Sequence, residues 1–287
     1  MSQLGYRLHQ MVNLQHKEGS YGTRNSRGKI LDMAAKQLLT GGFKLRDPEG
    51  LKTKHVDYLV SKWQSDGIAD KTIKNRLAAI RWWADKVGKR NIVARDNDSY
   101  GIAIIRNNPL GKSKQLDMEK HAKIGCDLIK LSLRLQQEFG LRREEAIKFN
   151  LSYGWQNDYI RLKGSWTKGG KYREIPITNQ AQLTLLKEIA TTTKSALIPA
   201  SKNYAQQLGR YERETSRVGL SKNHGLRHHY VRQRYLELTG WQCPADGGPK
   251  RNTLNAEQNA IDTSARLQIS KDLGHERLSI TYAYLGS

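Results

Sequence analysis

The stretch Asp158-Tyr-Ile-Arg-Leu-Lys163 is followed, after a turn, by Arg173-Glu-Ile-Pro-Ile177. Both stretches alternate apolar and polar side chains, which predicts two short strands that each bury one face. The turn between them, Trp166-Thr-Lys-Gly-Gly-Lys171, contains a Gly-Gly pair that favours a hairpin. The expected product is a small antiparallel β-sheet.

Helical spacing of apolar residues surrounds this hairpin on both sides. The pattern predicts eight helices, over residues 26–39, 53–64, 70–86, 118–138, 180–193, 203–217, 224–238 and 263–273. Polar turn-forming residues with Pro109 and Gly111 separate the third helix from the fourth. We therefore predict a mainly α protein with a small antiparallel β-sheet (α+β). Its expected parts are a helical N-terminal domain over residues 1–106, a linker over 107–116 and a second domain over 117–287.

Positive charge is the strongest feature of the composition. Among 287 residues, 49 are basic and 27 acidic, giving a net charge of +22. Residues up to Lys112 include 21 basic and 10 acidic side chains, and the remainder include 28 and 17, so each part carries +11. Because the excess is spread over both parts, we expect both to contact one polyanion, a nucleic acid.

Other classes of protein are disfavoured by composition. There is no run of about 18 apolar residues, so no membrane association is expected. Cys126 and Cys243 are too few for a disulfide framework or a cysteine metal site. We therefore expect a cytoplasmic, nucleoid-associated protein.

Four segments of the second part carry groups suited to phosphodiester cleavage. Such a reaction needs guanidinium donors for the phosphate oxygens, a nucleophile, and an acid for the departing sugar oxygen. The segments are Phe139-Gly-Leu-Arg-Arg-Glu-Glu145, Thr167-Lys-Gly-Gly-Lys171, His224-Gly-Leu-Arg-His228, and Leu273-Gly-His275 with a tyrosine following at Tyr284.

Together these segments resemble the active-site boxes of the tyrosine recombinases, the phage-type integrases. In this family Leu-Gly-His is followed nine residues after the histidine by the nucleophilic tyrosine, which here is Tyr284. The stretch Thr72–Ala84 also resembles the last helix of the family's core-binding domain. The resemblance implies a helical core-type DNA-binding domain followed by a tyrosine-recombinase catalytic domain.

The resemblance also implies a role for each site residue. Tyr284 would be the nucleophile and Lys168 the general acid, with Glu145 orienting the arginine or histidine pair. The implied catalytic set is Arg142, Lys168, His224, Arg227, His275 and Tyr284. Basic side chains expected to contact DNA are Lys71, Lys74, Arg76, Arg81, Lys171 and Arg173.

Two assignments have competitors. Lys171 is the alternative general acid, and Tyr282 is the alternative nucleophile, although it lies two residues too early for the family spacing. His224 and His228 stand four residues apart, as a pair of metal ligands would, but no third ligand lies nearby in the sequence. Neither a metal nor a cofactor is therefore expected.

The implied function is site-specific cutting and rejoining of DNA through a 3′-phosphotyrosyl intermediate, for integration or excision of a mobile element. The expected partners are double-stranded DNA, three further copies in a homo-tetramer on synapsed DNA, and an accessory DNA-bending protein. Free protein would be a monomer or dimer. The alternatives are strand relaxation of the type IB topoisomerase kind and a DNA-binding regulator without catalysis.

The chain departs from the family pattern in two respects. His224 and His275 are 51 residues apart, and the excess lies in a polar segment, residues 240–261, that we predict to be an inserted surface loop. Only three residues follow Tyr284, whereas many relatives place a C-terminal helix in a neighbouring protomer. The way in which subunits interlock is therefore left open.

Overall fold

The computed structural model describes residues 2–103, 108–193 and 195–287. The chain divides into two compact units, Met1–Arg106 and Asn107–Ser287. The first unit is helical, with α1 at Gln3–Leu14, α2 at Tyr21–Thr40, α3 at Thr53–Ser65 and α4 at Asp70–Lys86. Ser20 begins α2 earlier than predicted because its Oγ accepts a hydrogen bond from the Thr23 amide.

Helix α4 buries the face that its spacing predicts. Its apolar side chains Ile73, Leu77, Ile80 and Trp83 are fully buried and join the core of the first unit. The Trp83 indole N–H donates a hydrogen bond to the Pro48 carbonyl, which satisfies the polar atom of the ring inside this core.

The second unit contains nine helices and two strands among its described residues. The helices before the sheet are α5 at Met118–Ala122, α6 at Asp127–Glu138, α7 at Arg143–Lys148 and α8 at Leu151–Gly154. Strands β1 at Tyr159–Leu162 and β2 at Arg173–Pro176 pair antiparallel, with Tyr159 opposite Pro176 and Leu162 opposite Arg173. The later helices are α9 at Gln180–Thr192, α10 at Tyr204–Arg217, α11 at His224–Thr239, α12 at Ala256–Asp272 and α13 at Tyr282–Leu285. The predicted fold class, mainly α with a small antiparallel sheet, is confirmed.

Helix α11 organises the core of this unit, since it packs against α6, α12 and α13. Its buried residues Val231 and Tyr235 join a cluster that includes Phe139 of the turn after α6 and Ile175 of β2. The functional segments therefore meet on one well-packed scaffold.

Two predicted elements have different bounds. The helix predicted over 118–138 is interrupted, because α5 ends at Ala122 and the amide of Gly125 donates to the Glu214 carboxylate instead of continuing a helix. The segment predicted as an inserted loop over 240–261 is a loop only to Asn255. Asn255 and Gln258 form a capping box there, and α12 begins at Ala256.

The segment predicted as a linker packs onto the second unit where the structure describes it; Asn107 lies outside the described residues. Lys114 donates its amide proton to the Gly225 carbonyl, and the Leu116 amide donates to the Gln137 side chain. Leu116 itself is buried. Within the described ranges, the helices are all too short or too polar to cross a membrane.

Candidate active site

Arg142 stands at the start of α7, in the position that the sequence predicts. Gly140 makes the preceding turn, since its φ is +60° and a Cβ there would overlap the Tyr230 ring. Glu145, one turn into the helix, accepts a hydrogen bond at 2.7 Å from the Arg142 amide and another at 2.7 Å from its Nη1. Glu145 therefore fixes both the backbone and the guanidinium of Arg142.

Arg173, which the sequence predicts to contact DNA, also binds Glu145. Its Nη2 lies 2.7 Å from Glu145 Oε2 and its Nη1 lies 3.1 Å from Oε1, in a pair buried on both sides. Burial disfavours the charged carboxyl, but the guanidiniums of Arg173, Arg227 and Arg142 outweigh it and lower the pKa of Glu145 to about 2. Glu145 is therefore a buried carboxylate surrounded by arginines.

Arg227 is fully buried and lies beside the candidate nucleophile. Its Nε donates to the Tyr284 hydroxyl oxygen at 3.3 Å, its Nη1 donates to the Gly140 carbonyl, and its Nη2 donates to the Leu273 carbonyl at 3.0 Å. Burial lowers its pKa to about 10, so the guanidinium still carries its charge at neutral pH.

The carbonyl oxygen of Leu273 brings the arginines together. It accepts hydrogen bonds from Arg142 at 3.5 Å, from Arg173 at 3.2 Å and from Arg227 at 3.0 Å. Three guanidiniums from segments 46, 100 and 131 residues before Leu273 in the sequence thus surround one main-chain atom. The sequence does not predict the role of this carbonyl, because every residue has a backbone carbonyl whatever its side chain.

His275 follows immediately and contacts the first arginine. Its Nε2 lies 3.0 Å from Arg142 Nη2. Burial, followed by the charges of Arg142 and the neighbouring arginines, lowers the pKa of His275 to about 4. The ring is therefore neutral at neutral pH, its Nε2 accepts from Arg142, and its Nδ1 carries the proton.

Tyr284 lies on the short helix α13 with its ring against two histidines. Its ring centroid is 4.5 Å from that of His228 and 6.4 Å from that of His224. Burial and then the neighbouring His224 lower the pKa of His228 to about 4, and within the described residues its buried Nδ1 has no hydrogen-bond partner. The sequence predicts no catalytic role for His228, and in the structure its ring lies closer to the phenol ring than that of His224 does.

Tyr282 points to different partners. Its hydroxyl accepts a hydrogen bond at 2.8 Å from Arg251, and the guanidinium of Arg266 lies 5.2 Å from its ring centroid. Of the two tyrosines, Tyr284 is therefore the one in contact with Arg227.

The hairpin turn carries the two candidate lysines at the surface. Lys171 forms an exposed ion pair of 2.9 Å with Glu276, which brings the turn next to the segment that contains His275. Lys168 is exposed, and among the described residues its ammonium makes no hydrogen bond or ion pair. The turn itself uses Gly169 and Gly170, both at positive φ.

The four α4 residues that are predicted to contact DNA separate into two pairs. Lys71 and Lys74 are exposed, as a polyanion-binding face requires. Arg76 instead stacks over the Trp63 ring at 5.3 Å, and Arg81 donates to the Ala94 and Asp96 carbonyls, both at 2.9 Å. The guanidinium of Arg81 therefore holds a loop, and its contact with DNA stays a prediction.

The assembled site combines two charged guanidiniums, a neutral imidazole and a phenol. Arg227 donates to the Tyr284 hydroxyl, and both Arg142 and Arg227 donate to the Leu273 carbonyl. Guanidinium donors of this kind stabilise charge that develops on an oxyanion. The arrangement fits a tetrahedral anion held for attack by the phenol oxygen.

Two models of known protein families match parts of this chain. A family model described as "Phage integrase, N-terminal" matches residues 1–93, and one described as "Integrase" matches residues 114–233. The two matches together cover about three quarters of the chain. Curated protein sequences gave no match.

Solved structures share the fold at low identity. A XerH site-specific recombinase bound to palindromic difH substrate has a TM-score of 0.58 and 18% identity, with 98% of this chain and 80% of that chain covered. A Tn1549 transposon integrase in complex with circular intermediate DNA has a TM-score of 0.59 and 13% identity, with 98% of this chain and 95% of that chain covered. A lambda integrase dimer bound to a COC′ core site has a TM-score of 0.60 and 14% identity, with 96% of this chain and 95% of that chain covered. By its family models and its fold, this chain belongs to the phage-type integrases, the family of tyrosine recombinases.

Proposed function

We propose that this protein is a site-specific DNA recombinase that cuts and rejoins strands through a covalent bond to Tyr284. The observation that carries the proposal is the contact of Arg227 Nε with the Tyr284 hydroxyl at 3.3 Å, with Arg142 tied to Arg227 through Leu273. A phosphate held by these two guanidiniums would lie against the phenol oxygen.

The reaction would proceed as an exchange of esters. Tyr284 Oη attacks phosphorus and gives up its proton to His224, while the bond from phosphorus to the 5′ oxygen breaks and Lys168 protonates that oxygen. The products are a 3′-phosphotyrosyl link and a free 5′-hydroxyl. Since the number of phosphoester bonds is unchanged, rejoining needs no nucleotide cofactor.

The arginines, His275 and Glu145 have different roles in this reaction. Arg142, Arg227 and the Nδ1–H of His275 would donate to the non-bridging oxygens, where negative charge grows. Glu145 does not touch the substrate; held by Arg173, it keeps Arg142 in place. Removing one such donor typically lowers the rate on the order of 10² to 10³-fold.

DNA is the proposed substrate and recombination of a mobile element the proposed outcome. Three observations support this: the net charge of +22, the family models named for phage integrases, and neighbours solved on DNA, among them a lambda integrase tetramer bound to a Holliday junction. We propose the same oligomer here, a tetramer on paired DNA duplexes. Affinity should fall steeply with salt, because many cationic side chains would displace counterions.

The test maps the covalent bond. Nicked duplexes that tile the DNA on either side of the coding gene are incubated with wild type, Y284F and Y282F. We expect adducts that survive detergent with wild type and Y282F, and none with Y284F, which should still bind. Mass spectrometry of digested adduct should place the nucleotide on Tyr284.

Other results would favour other functions. An adduct formed by Y284F would move the nucleophile to Tyr282. Relaxation of any supercoiled plasmid without sequence preference would indicate a topoisomerase. Tight binding with no adduct on any duplex would indicate a regulator.

A further inference from the structure

The loop between α11 and α12, residues 241–255, contacts the helix that carries the candidate nucleophile. It contains two short 3₁₀ turns, Pro244–Asp246 and Arg251–Thr253. Cys243 is 1% exposed and belongs to the same hydrophobic cluster as Tyr284 and Leu285. The 241–255 loop is therefore part of the packing around α13, although its composition is that of a solvated segment.

The first contact runs through Arg232 of α11. This buried guanidinium uses all three of its nitrogens: Nε donates to the Tyr284 carbonyl at 3.3 Å, Nη1 pairs with Asp246, and Nη2 donates to the Pro109 carbonyl at 2.6 Å. Asp246 of the loop supplies the counter-charge for an arginine whose side chain is only 5% exposed. The backbone of Tyr284 is thus tied to the loop through one charged side chain.

The second contact is made by the other 3₁₀ turn. Arg251 donates from Nη1 to the Tyr282 hydroxyl at 2.8 Å and from Nη2 to the Thr263 hydroxyl at 2.9 Å. Tyr282 and Tyr284 are therefore both held from the loop side, one by its hydroxyl and the other by its carbonyl.

The backbone just after α13 also lies against the loop. Gly286 has a φ of +80°, and a Cβ there would lie 3.3 Å from the Ala245 nitrogen and from Pro244 Cβ. Glycine at this position therefore allows the two main chains to approach closely.

From these contacts we propose that the 241–255 loop is a clamp that holds α13 in its own subunit and so positions the Tyr284 hydroxyl beside Arg227. Asp246 and Arg251 are its positioning residues, and Arg232 transmits the first contact. A helix of four residues is not stable by itself, because its nucleation cost exceeds what one turn of hydrogen bonds returns. The position of α13 must therefore be set by tertiary contacts, and the loop supplies three of them.

The clamp rests on the proposed function for its effect on cleavage, but its effect on α13 can be measured in the free protein. The variants are D246N, which keeps the shape of the side chain and removes its charge, and Y282F, which removes only the hydroxyl that Arg251 binds. The matched control is E237Q, which breaks the Arg234–Glu237 ion pair of 3.0 Å on the same helix α11 without touching α13.

Hydrogen exchange of the peptide covering residues 279–287 is the first readout. We expect this peptide to exchange about 10-fold faster in D246N than in wild type. In Y282F it should exchange roughly 2- to 10-fold faster, which corresponds to the loss of one net hydrogen bond. In E237Q it should exchange at the wild-type rate. A peptide covering α6 should be unchanged in all three, which separates a local release of α13 from general unfolding.

Single-turnover cleavage is the second readout. Both variants should slow adduct formation by factors similar to those of exchange, while DNA affinity stays within twofold of wild type. Wild-type exchange of residues 279–287 in D246N and Y282F would overturn the clamp, as would faster exchange with an undiminished cleavage rate.

Each remaining outcome also decides the question. If D246N does not fold, Y282F and its exchange decide the result, since loss of one hydroxyl at a half-buried ring leaves the packing intact. If wild type forms no adduct with any duplex, the proposed recombinase function fails, and exchange in the free protein still supports or overturns the clamp.

Discussion

The Nε of Arg227 donates a hydrogen bond to the hydroxyl oxygen of Tyr284 at 3.3 Å. The other two nitrogens of this buried guanidinium bind the carbonyls of Gly140 and Leu273. The orientation of the arginine is therefore set by the backbone of two segments, and its third nitrogen, Nε, is directed at the phenol.

Replacing Arg227 with lysine should abolish most of the cleavage activity. Lysine keeps the positive charge but has a single ammonium that cannot donate to both carbonyls and the phenol at fixed angles. We expect single-turnover adduct formation to fall on the order of 10² to 10³-fold, with a smaller loss of DNA affinity, since binding is shared among many cationic side chains.

The control for this variant is R143K, at the next arginine along the box. Arg143 is exposed and pairs at 3.0 Å with Glu212, so its replacement should leave the rate within twofold. An R227K protein that cleaves at the wild-type rate would show that the guanidinium geometry is irrelevant to the reaction.

Arg173 should contribute strongly to the free energy of unfolding, although the sequence predicts it at a DNA-binding surface. Its pair with Glu145 is buried on both sides, and removing one partner of a buried pair costs about 3–5 kcal/mol because the other charge is left without compensation. R173M should lower the free energy of unfolding by this amount in urea titrations, and K171A, which breaks an exposed pair in the same hairpin, should give no measurable change.

The double variant E145M/R173M separates charge from packing. Removing both charges avoids the stranded carboxylate, so the double variant should be more stable than R173M alone. Equal stability of the two would mean that Glu145 does not depend on Arg173. Cleavage should still be lost in the double variant, because Arg142 loses the carboxylate that orients it.

The sequence predicted the parts of the site that depend on local pattern. The hairpin, the start of α7 at Arg142 and the start of α11 at His224 follow from period and turn residues, which are encoded within a few positions. The grouping of Arg142, Arg227, His275 and Tyr284 came from the resemblance, and the structure brings these four together.

Other features depend on tertiary contacts that no local pattern contains. Arg173 was expected at a DNA surface, yet it faces a carboxylate 28 residues earlier in the chain. Arg81 has the helical position of a basic-face residue but reaches a loop 13 to 16 residues later. The 241–255 loop is polar in composition, and only its packed position on α13 reveals Asp246 and Arg251 as contacts of the tyrosine helix.

The free energy of unfolding should decrease as the pH is lowered, because His228 titrates. Burial, and then His224, lower its pKa to about 4 in the folded protein, whereas a histidine in an unfolded chain titrates near about 6.5. Between these values the unfolded chain binds a proton that the folded protein does not, so the free energy of unfolding decreases as pH falls from about 6.5 to 4.

H228N removes this titration and should show a shallower decrease over the same window. His275, whose pKa is also lowered to about 4, contributes with the same sign and remains in the variant. Urea unfolding at several pH values checks the expectation, and parallel curves for wild type and H228N would contradict it.

The identity of the general acid can be decided by changing the leaving group. Lys168 is exposed in the hairpin turn, while the ammonium of Lys171 is paired at 2.9 Å with Glu276. An ammonium with a carboxylate partner must break that pair before it can protonate a departing oxygen, which favours Lys168. K168A should therefore slow cleavage on the order of 10²- to 10⁴-fold, the usual contribution of a positioned acid.

A substrate with sulfur in place of the bridging 5′ oxygen at the scissile phosphate tests the role itself. A thiolate leaves without protonation, so this substrate should restore cleavage by K168A to near the wild-type rate and leave R227K slow, because Arg227 acts on the non-bridging oxygens. Rescue of K171A instead of K168A would assign the acid to Lys171. Failure to rescue either variant would mean that the hairpin lysines hold the phosphate and do not move a proton.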